Sequence, residues 1–198
     1  MLVSKERGKV VLTLLDHGLY RDLSANVKMD YAHLWASLIE GDMREASFYC
    51  SRLGVNELFP LFVSMLTVRN YDQVTNKKLT VVPTEEELLD VGKNAAIYMN
   101  EITEVLSQVS RELLLLFKTN DTLRSIDIKL GVPPVQQLQT QYLLLYRYAK
   151  NAIYKEEMEK SPSEFRIFFL EIRHYITEIS LVIYSYWIGF PFKFWFLS

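Results

Sequence analysis

Hydrophobic and polar positions change their period once along the chain, and the change divides it. Residues 1–20 read as β. Leu2-Val3 and Val10-Val11-Leu12-Thr13-Leu14-Leu15 are apolar runs rich in β-branched residues, and they flank the polar turn Lys5-Glu6-Arg7-Gly8. The pattern predicts a short hairpin ending at Asp16 and Gly18. A two-stranded hairpin is marginal in water, so it is expected to pack on the helices behind it.

Beyond it the period is helical. Ser24 is a candidate N-cap for a helix through Ile39, with Val27, Tyr31, Leu34, Trp35 and Leu38 on one stripe. Gly41-Asp42 stops that helix and caps the next, which runs to Leu53 and ends at Gly54. Asn56 is placed to cap a third through Leu58, Leu61, Phe62, Met65 and Leu66. Asn70 to Pro83 is polar and loop-like, the best candidate for a mobile insertion. Thr84 with Glu87 forms a capping box before a helix reaching Val109. Ser110 opens another that Gly131 ends, and Pro133-Pro134 starts one reaching Lys160. Ser161-Pro162-Ser163-Glu164 reads as a second capping box with proline at the first helical position. The fold class is mainly α: an N-terminal β-hairpin followed by a bundle of about seven helices. Residues 1–160 form the main domain, and 161–198 a C-terminal helix with an aromatic-rich tail.

Composition narrows the chemistry. The chain is 49% hydrophobic and 23% charged, enough apolar side chain for a sizeable core. A net charge of −2 supplies no global basic field, so nucleic acid is not expected as a partner. The single cysteine, Cys50, rules out an internal disulfide framework and a multi-cysteine zinc site. It sits among Phe48, Tyr49 and Leu53 and reads as a buried, inert thiol. His17, His33 and His174 lie far apart, with no pair at metal-ligand spacing. The first eight residues lack the apolar segment of a signal peptide.

One motif carries chemistry. A hydrophobic strand that delivers an Asp-X-Gly turn can hold magnesium against nucleotide phosphates: the strand anchors the backbone, the carboxylate emerges at its end, and glycine permits the sharp turn. Asp16-His17-Gly18 has this form. Alone it is a weak signal, because Asp-X-Gly is common in ordinary turns.

Its surroundings are more specific. Val11-Leu12-Thr13-Leu14-Leu15-Asp16-His17-Gly18-Leu19-Tyr20 resembles the strand and turn of the aarF-domain (UbiB-type) atypical kinases, in the subgroup with Asp-His-Gly in place of Asp-Phe-Gly. The likeness continues through Asp30-Tyr31-Ala32-His33-Leu34-Trp35-Ala36-Ser37-Leu38-Ile39, Tyr49-Cys50-Ser51-Arg52-Leu53-Gly54, and Leu58-Phe59-Pro60-Leu61-Phe62 with Met65-Leu66-Thr67-Val68-Arg69. Its most specific stretch is Leu114-Leu115-Leu116-Phe117-Lys118-Thr119-Asn120-Asp121-Thr122-Leu123-Arg124. It covers residues 2 to 131 and fades beyond. The resemblance implies the C-lobe of a kinase-like fold, with Asp16 as a metal ligand and His17 and Gly18 completing the motif. It also implies magnesium and ATP as cofactors of the complete protein. Mitochondrial or plastid membranes and isoprenoid-quinone or lipid homeostasis belong to the same expectation.

Two departures limit it. The family's catalytic loop, His-X-Asp-Pro-His-Pro-Gly-Asn, directly precedes the strand that begins here as Leu2-Val3, and this sequence does not contain it. The phosphate-covering loop, the strand lysine, its glutamate partner and the Lys-X-Gly-Gln segment are also not in the sequence. Phosphoryl transfer is mostly positioning and charge stabilisation, so this chain alone is expected to be inactive and to bind no cofactor tightly. A start at Met1 fits a shortened product or an incomplete gene model. His17, in place of phenylalanine, reads as a structural histidine, against a pH-sensitive or metal-contacting role.

Two surfaces remain. Lys118, Asn120, Asp121 and Arg124 form a polar face. It is a candidate site for a partner, a lipid or the remaining kinase half, or else a solvated face with a salt bridge from Asp121 to Arg124 or Lys118. Ile179 to Leu197 holds eight aromatics and one charge, Lys193, but Gly189 and Pro191 interrupt it as a spanning helix. Trp187 and Trp195 are candidate membrane-surface contacts. The alternative to a kinase portion is therefore a non-enzymatic helical module that binds a protein partner or a membrane surface.

Overall fold

The computed structural model describes residues 2–13, 15, 22–56, 58–77, 79, 84, 86, 99–161 and 163–187. Strands β1 (Leu2–Glu6) and β2 (Lys9–Thr13) pair antiparallel, with Leu2 opposite Thr13 and Glu6 opposite Lys9. Arg7 and Gly8 turn the chain with φ of +48° and +81°. Two successive left-handed residues give a turn whose twist matches that of the strands, and glycine at the second position meets it without strain. The expected packing of this hairpin on the helices is not seen. Of its ten strand residues only Val11 is half-buried, while Val10 and Leu12 are 60% and 61% exposed. The reason lies in its register: Val3, Val10 and Leu12 share one face and Leu2 and Val11 the other, and none of them enters the helical core.

Eight helices follow among the described residues. They are α1 (Ala25–Glu40), α2 (Met43–Arg52), α3 (Phe59–Thr67), α4 (Tyr71–Lys77), α5 (Met99–Gln108), α6 (Arg111–Lys129), α7 (Pro134–Glu159) and α8 (Glu164–Trp187). Side-chain oxygens begin three of them. Ser24 Oγ accepts from Val27 N, Asp42 Oδ1 from Arg44 N and Glu45 N at 3.1 and 3.0 Å, and Ser110 Oγ from Leu113 N. Gly41, at φ +82°, ends α1 with its N–H on Ser37 O, which sets up the tight turn into α2.

Three expectations are corrected. Helix α3 starts after Leu58 with Pro60 in its first turn and no side-chain cap, so Asn56 does not cap it. Proline's fixed φ and missing N–H suit that first turn without help. Helix α4 occupies part of the segment read as loop. Asn70 O takes the N–H groups of Gln73 and Val74, and Val74 is the buried anchor of an otherwise polar turn. At the far end, α8 starts at Glu164 and Ile167 N bonds Ser163 O. Ser161 N instead closes the last turn of α7 on Met158 O, so the helix start lies two residues later than the capping-box reading put it. Of the helix expected from Thr84 to Val109, residue 86 and residues 99–108 are helical, and most of its first half lies outside the described residues.

The core forms where α1 packs on α2 and α7, α3 on α4 and α5, and α6 and α8 on α7. Trp35, Leu34, Leu38, Phe62 and Leu113 lie at its centre, fully buried. Burying side chains of this size stabilises by roughly 1.5–3 kcal/mol each. Among the described residues no helix is long and apolar enough to cross a membrane.

Candidate functional site

Asp16, His17 and Gly18 lie outside the described residues, as do Trp195 and the side chain of Trp187. What the structure does show of the aspartate's setting is the strand that leads to it: β2 ends at Thr13, and Leu15 is exposed. Among the described residues no group of three or more His, Cys, Asp or Glu side chains could hold a metal.

The second candidate, on α6, divides into two parts. Lys118 Nζ and Asp121 Oδ2 form an exposed ion pair at 3.6 Å. Residues at i and i+4 lie on one side of a helix, so Asn120 and Arg124 share a side that turns inward. Asn120 Nδ2 donates to Tyr31 Oη of α1 at 3.2 Å. Arg124 reaches two elements at once: Nε donates to Gln141 Oε1 of α7 at 3.0 Å, and Nη2 to Leu66 O at the end of α3 at 3.1 Å. Gln137 Nε2 returns a bond to Arg124 O at 2.9 Å, and Tyr142 Oη donates to Thr67 O.

These bonds answer a backbone need. Helix α3 ends at Val68 with φ +54°, and its last-turn carbonyls have no intrahelical donor. Arg124 and Tyr142 supply two donors there. Burial pushes the Arg124 pKa below its ordinary value and the Tyr31 and Tyr142 hydroxyls above theirs. Chemically this is a brace that ties α6 to α1, α3 and α7. Gln137, Gln141 and Tyr142 were not singled out from sequence, since nothing local marks a glutamine or tyrosine as the partner of an arginine a helix away.

Two further polar sites were also missed. Arg52 Nε meets the buried Asp30 Oδ1 at 2.8 Å, linking α2 to α1. Glu40 Oε1 accepts from Tyr146 Oη at 2.8 Å and Lys150 Nζ at 2.7 Å, at the edge of a cleft of ≈ 280 Å³ lined mainly by apolar parts of Ile39, Leu79, Leu143 and Leu181. Burial, then the Glu40 carboxylate, raises the Tyr146 pKa. Cys50 is fully buried, and burial pushes its thiol up to about 12, an inert state.

Helix α8 differs from the rest in what it leaves open. Phe165, Phe168 and Phe169, with Tyr175, Ile176 and Ile183 further along, are all more than half exposed.

The likeness of this chain to known proteins runs in one direction. No family model and no solved structure matches it. AarF domain-containing protein kinase 1 of Xenopus tropicalis is 40% identical over 152 residues, covering 77% of this chain and 28% of that protein. The Gallus gallus protein of the same name is 39% identical over 169 residues, covering 84% and 32%. AarF domain-containing kinase 1 of Drosophila melanogaster is 30% identical over 181 residues, covering 90% and 34%. The chain thus spans about a third of the length of the curated relatives it matches. A hairpin leading to Asp16, a helical body behind it, and this similarity over most of its length place the chain in the AarF-domain-containing (ABC1, UbiB-type) atypical kinase-like family.

Proposed function

We propose that this chain is the C-terminal portion of an AarF-domain atypical kinase-like protein and supplies one side of its nucleotide site. In the complete protein Asp16 is a magnesium ligand against ATP phosphates, and the positioning groups come from outside this sequence. By itself the chain is catalytically incompetent. The observation that carries the reading is the run Val11 to Tyr20, in which Asp16-His17-Gly18 follows shortly after β2 in sequence and which resembles the family's strand-and-turn motif, within a chain similar to AarF-domain kinases over most of its length. The open hairpin supports it: Val10 and Leu12 present apolar surface to which the rest of a longer protein can pack. Localisation to mitochondria or plastids is part of the same proposal.

The test is hydrolysis of labelled ATP by the purified chain with magnesium, beside the Asp16→Asn variant. The expected result is no turnover above buffer in either. Turnover by the parent that Asp16→Asn removes would overturn the reading of incompetence.

A second reading is a non-enzymatic helical interaction module, which the exposed face of α8 favours. A membrane-surface role of the aromatic tail, through Trp187 and Trp195, belongs to that reading. Liposome flotation that persists after residues beyond Ile179 are deleted counts against it.

A further inference from the structure

Both faces of α8 carry apolar side chains. Toward α7 it buries Leu170 and Leu181 with Val182 and Tyr184 beside them, together with His174, and Glu178 Oε2 pairs with Arg147 Nε at 3.3 Å. The opposite face is almost wholly apolar. Phe165, Ile172, Ile179 and Tyr186 recur at strict seven-residue spacing. Phe168 and Tyr175 repeat three residues after the first two of these, and Phe169, Ile176 and Ile183 four residues after the first three. A seven-residue apolar repeat is the signature of a seam against another helix.

Area and charge say what kind of helix. These nine side chains are 40–79% exposed. With aromatic side chains burying about 150–250 Å² each, the stripe offers on the order of 1,000 Å². A standard protein interface needs about 800 Å² from each partner. A helix that binds anionic lipid carries an excess of Lys and Arg beside its apolar face. Here the exposed charges, Glu164, Arg166, Glu171 and Arg173, balance, and Arg173 is held by Glu157. All four lie in the first half of α8, and its second half carries only Glu178, already paired with Arg147.

That distribution is self-complementary in one orientation. Parallel copies would set phenylalanine against phenylalanine and like charge beside like charge at one end. Antiparallel copies set the broad, charged Phe165–Phe169 end against the narrower Ile179–Ile183 end and align the helix dipoles favourably. We infer that α8 docks on α8 of a second copy of this chain, antiparallel, with the two-fold axis near Tyr175 and Ile176.

The test is the mass of the full chain in solution at tens of micromolar, by sedimentation equilibrium. The expected result is twice the 23.2 kDa chain mass. Phe168→Glu and Ile183→Lys are each expected to return the mass to one chain, with circular dichroism and melting temperature unchanged. Because Phe168 of one copy lies by Ile183 of the other, mixing the two variants is expected to restore a two-chain species. Single cysteines report the orientation, since Cys50 is buried. Ile176→Cys is expected to cross-link to itself, and Phe165→Cys only with Tyr186→Cys. A parent chain that sediments as a monomer overturns the inference. So does a dimer that survives both charged substitutions, or Phe165→Cys linking to itself as readily as Ile176→Cys. A monomeric parent that floats with neutral liposomes and loses flotation on Phe168→Glu assigns the stripe to lipid instead.

Discussion

The guanidinium of Arg124 donates to the carbonyl of Leu66 at 3.1 Å, closing the end of α3 from a helix that begins more than forty residues later. It is a capping interaction supplied by tertiary structure. Removing it leaves Leu66 O without its donor and Gln141 without its partner. Arg124→Ala is expected to destabilise the chain by about 2–3 kcal/mol, as hydrogen bonds from a charged group suggest. Arg124→Lys should recover less than half, because one ammonium cannot span Gln141 and Leu66 in the guanidinium's forked geometry. Urea unfolding of the two variants beside the parent reads both numbers.

A second measurement concerns Asp30 and Arg52. Asp30 is buried and its partner half exposed, so the pair gains less than a fully desolvated one. Arg52→Ala leaves a buried carboxylate without its cation and is expected to cost about 1–3 kcal/mol. Asp30→Asn in the Arg52→Ala background should return part of that loss. A double-mutant cycle with no coupling beyond about 0.3 kcal/mol would show the pair to be incidental.

Alkaline pH should weaken the fold. Tyr142 is raised above 10.0 by burial, and Tyr146 by burial and then by Glu40. Each keeps its proton in the folded chain to higher pH than in the unfolded chain. Their contribution is thus complete below pH 10 and is lost as pH climbs toward the raised folded values. Cys50 adds to the same limb, from 9.0 toward about 12. Tyr146→Phe is expected to flatten the alkaline decline in thermal melts while leaving the neutral range nearly unchanged, since Lys150 still holds Glu40. An unchanged alkaline limb contradicts the assignment.

Cys50 gives a further check on the core. With its thiol buried and pushed up to about 12, it should not react with a disulfide reagent at neutral pH until the chain is unfolded. Rapid modification of the native chain would mean that the α1–α2 packing opens.

Much of the fold was legible because its signals are local. Ser24, Asp42 and Ser110 cap the helices that their spacing marks, and Gly41 ends one as its left-handed φ requires. Helix α4 was not legible: Val74 is its only fully buried anchor, too little apolar pattern to set a period. Asn56 misled because Pro60 and the backbone start α3 unaided. The hairpin's exposure could not be read either, since an apolar strand announces that it will be covered but not by what. At the candidate sites the polar face on α6 was visible, while its partners were not, because Leu66 and Tyr31 approach Arg124 and Asn120 only in the folded chain. Asp16 was singled out from its motif and its likeness to the family, and it lies outside the described residues, so the structure does not bear on it.

Calorimetric titration of MgATP into the purified chain tests most directly whether Asp16 is one side of a site completed elsewhere. The expected result is no saturable heat at millimolar nucleotide, for the parent and for Asp16→Asn alike. Saturable binding by the parent that Asp16→Asn abolishes would contradict it, and would show that this chain holds the nucleotide on its own.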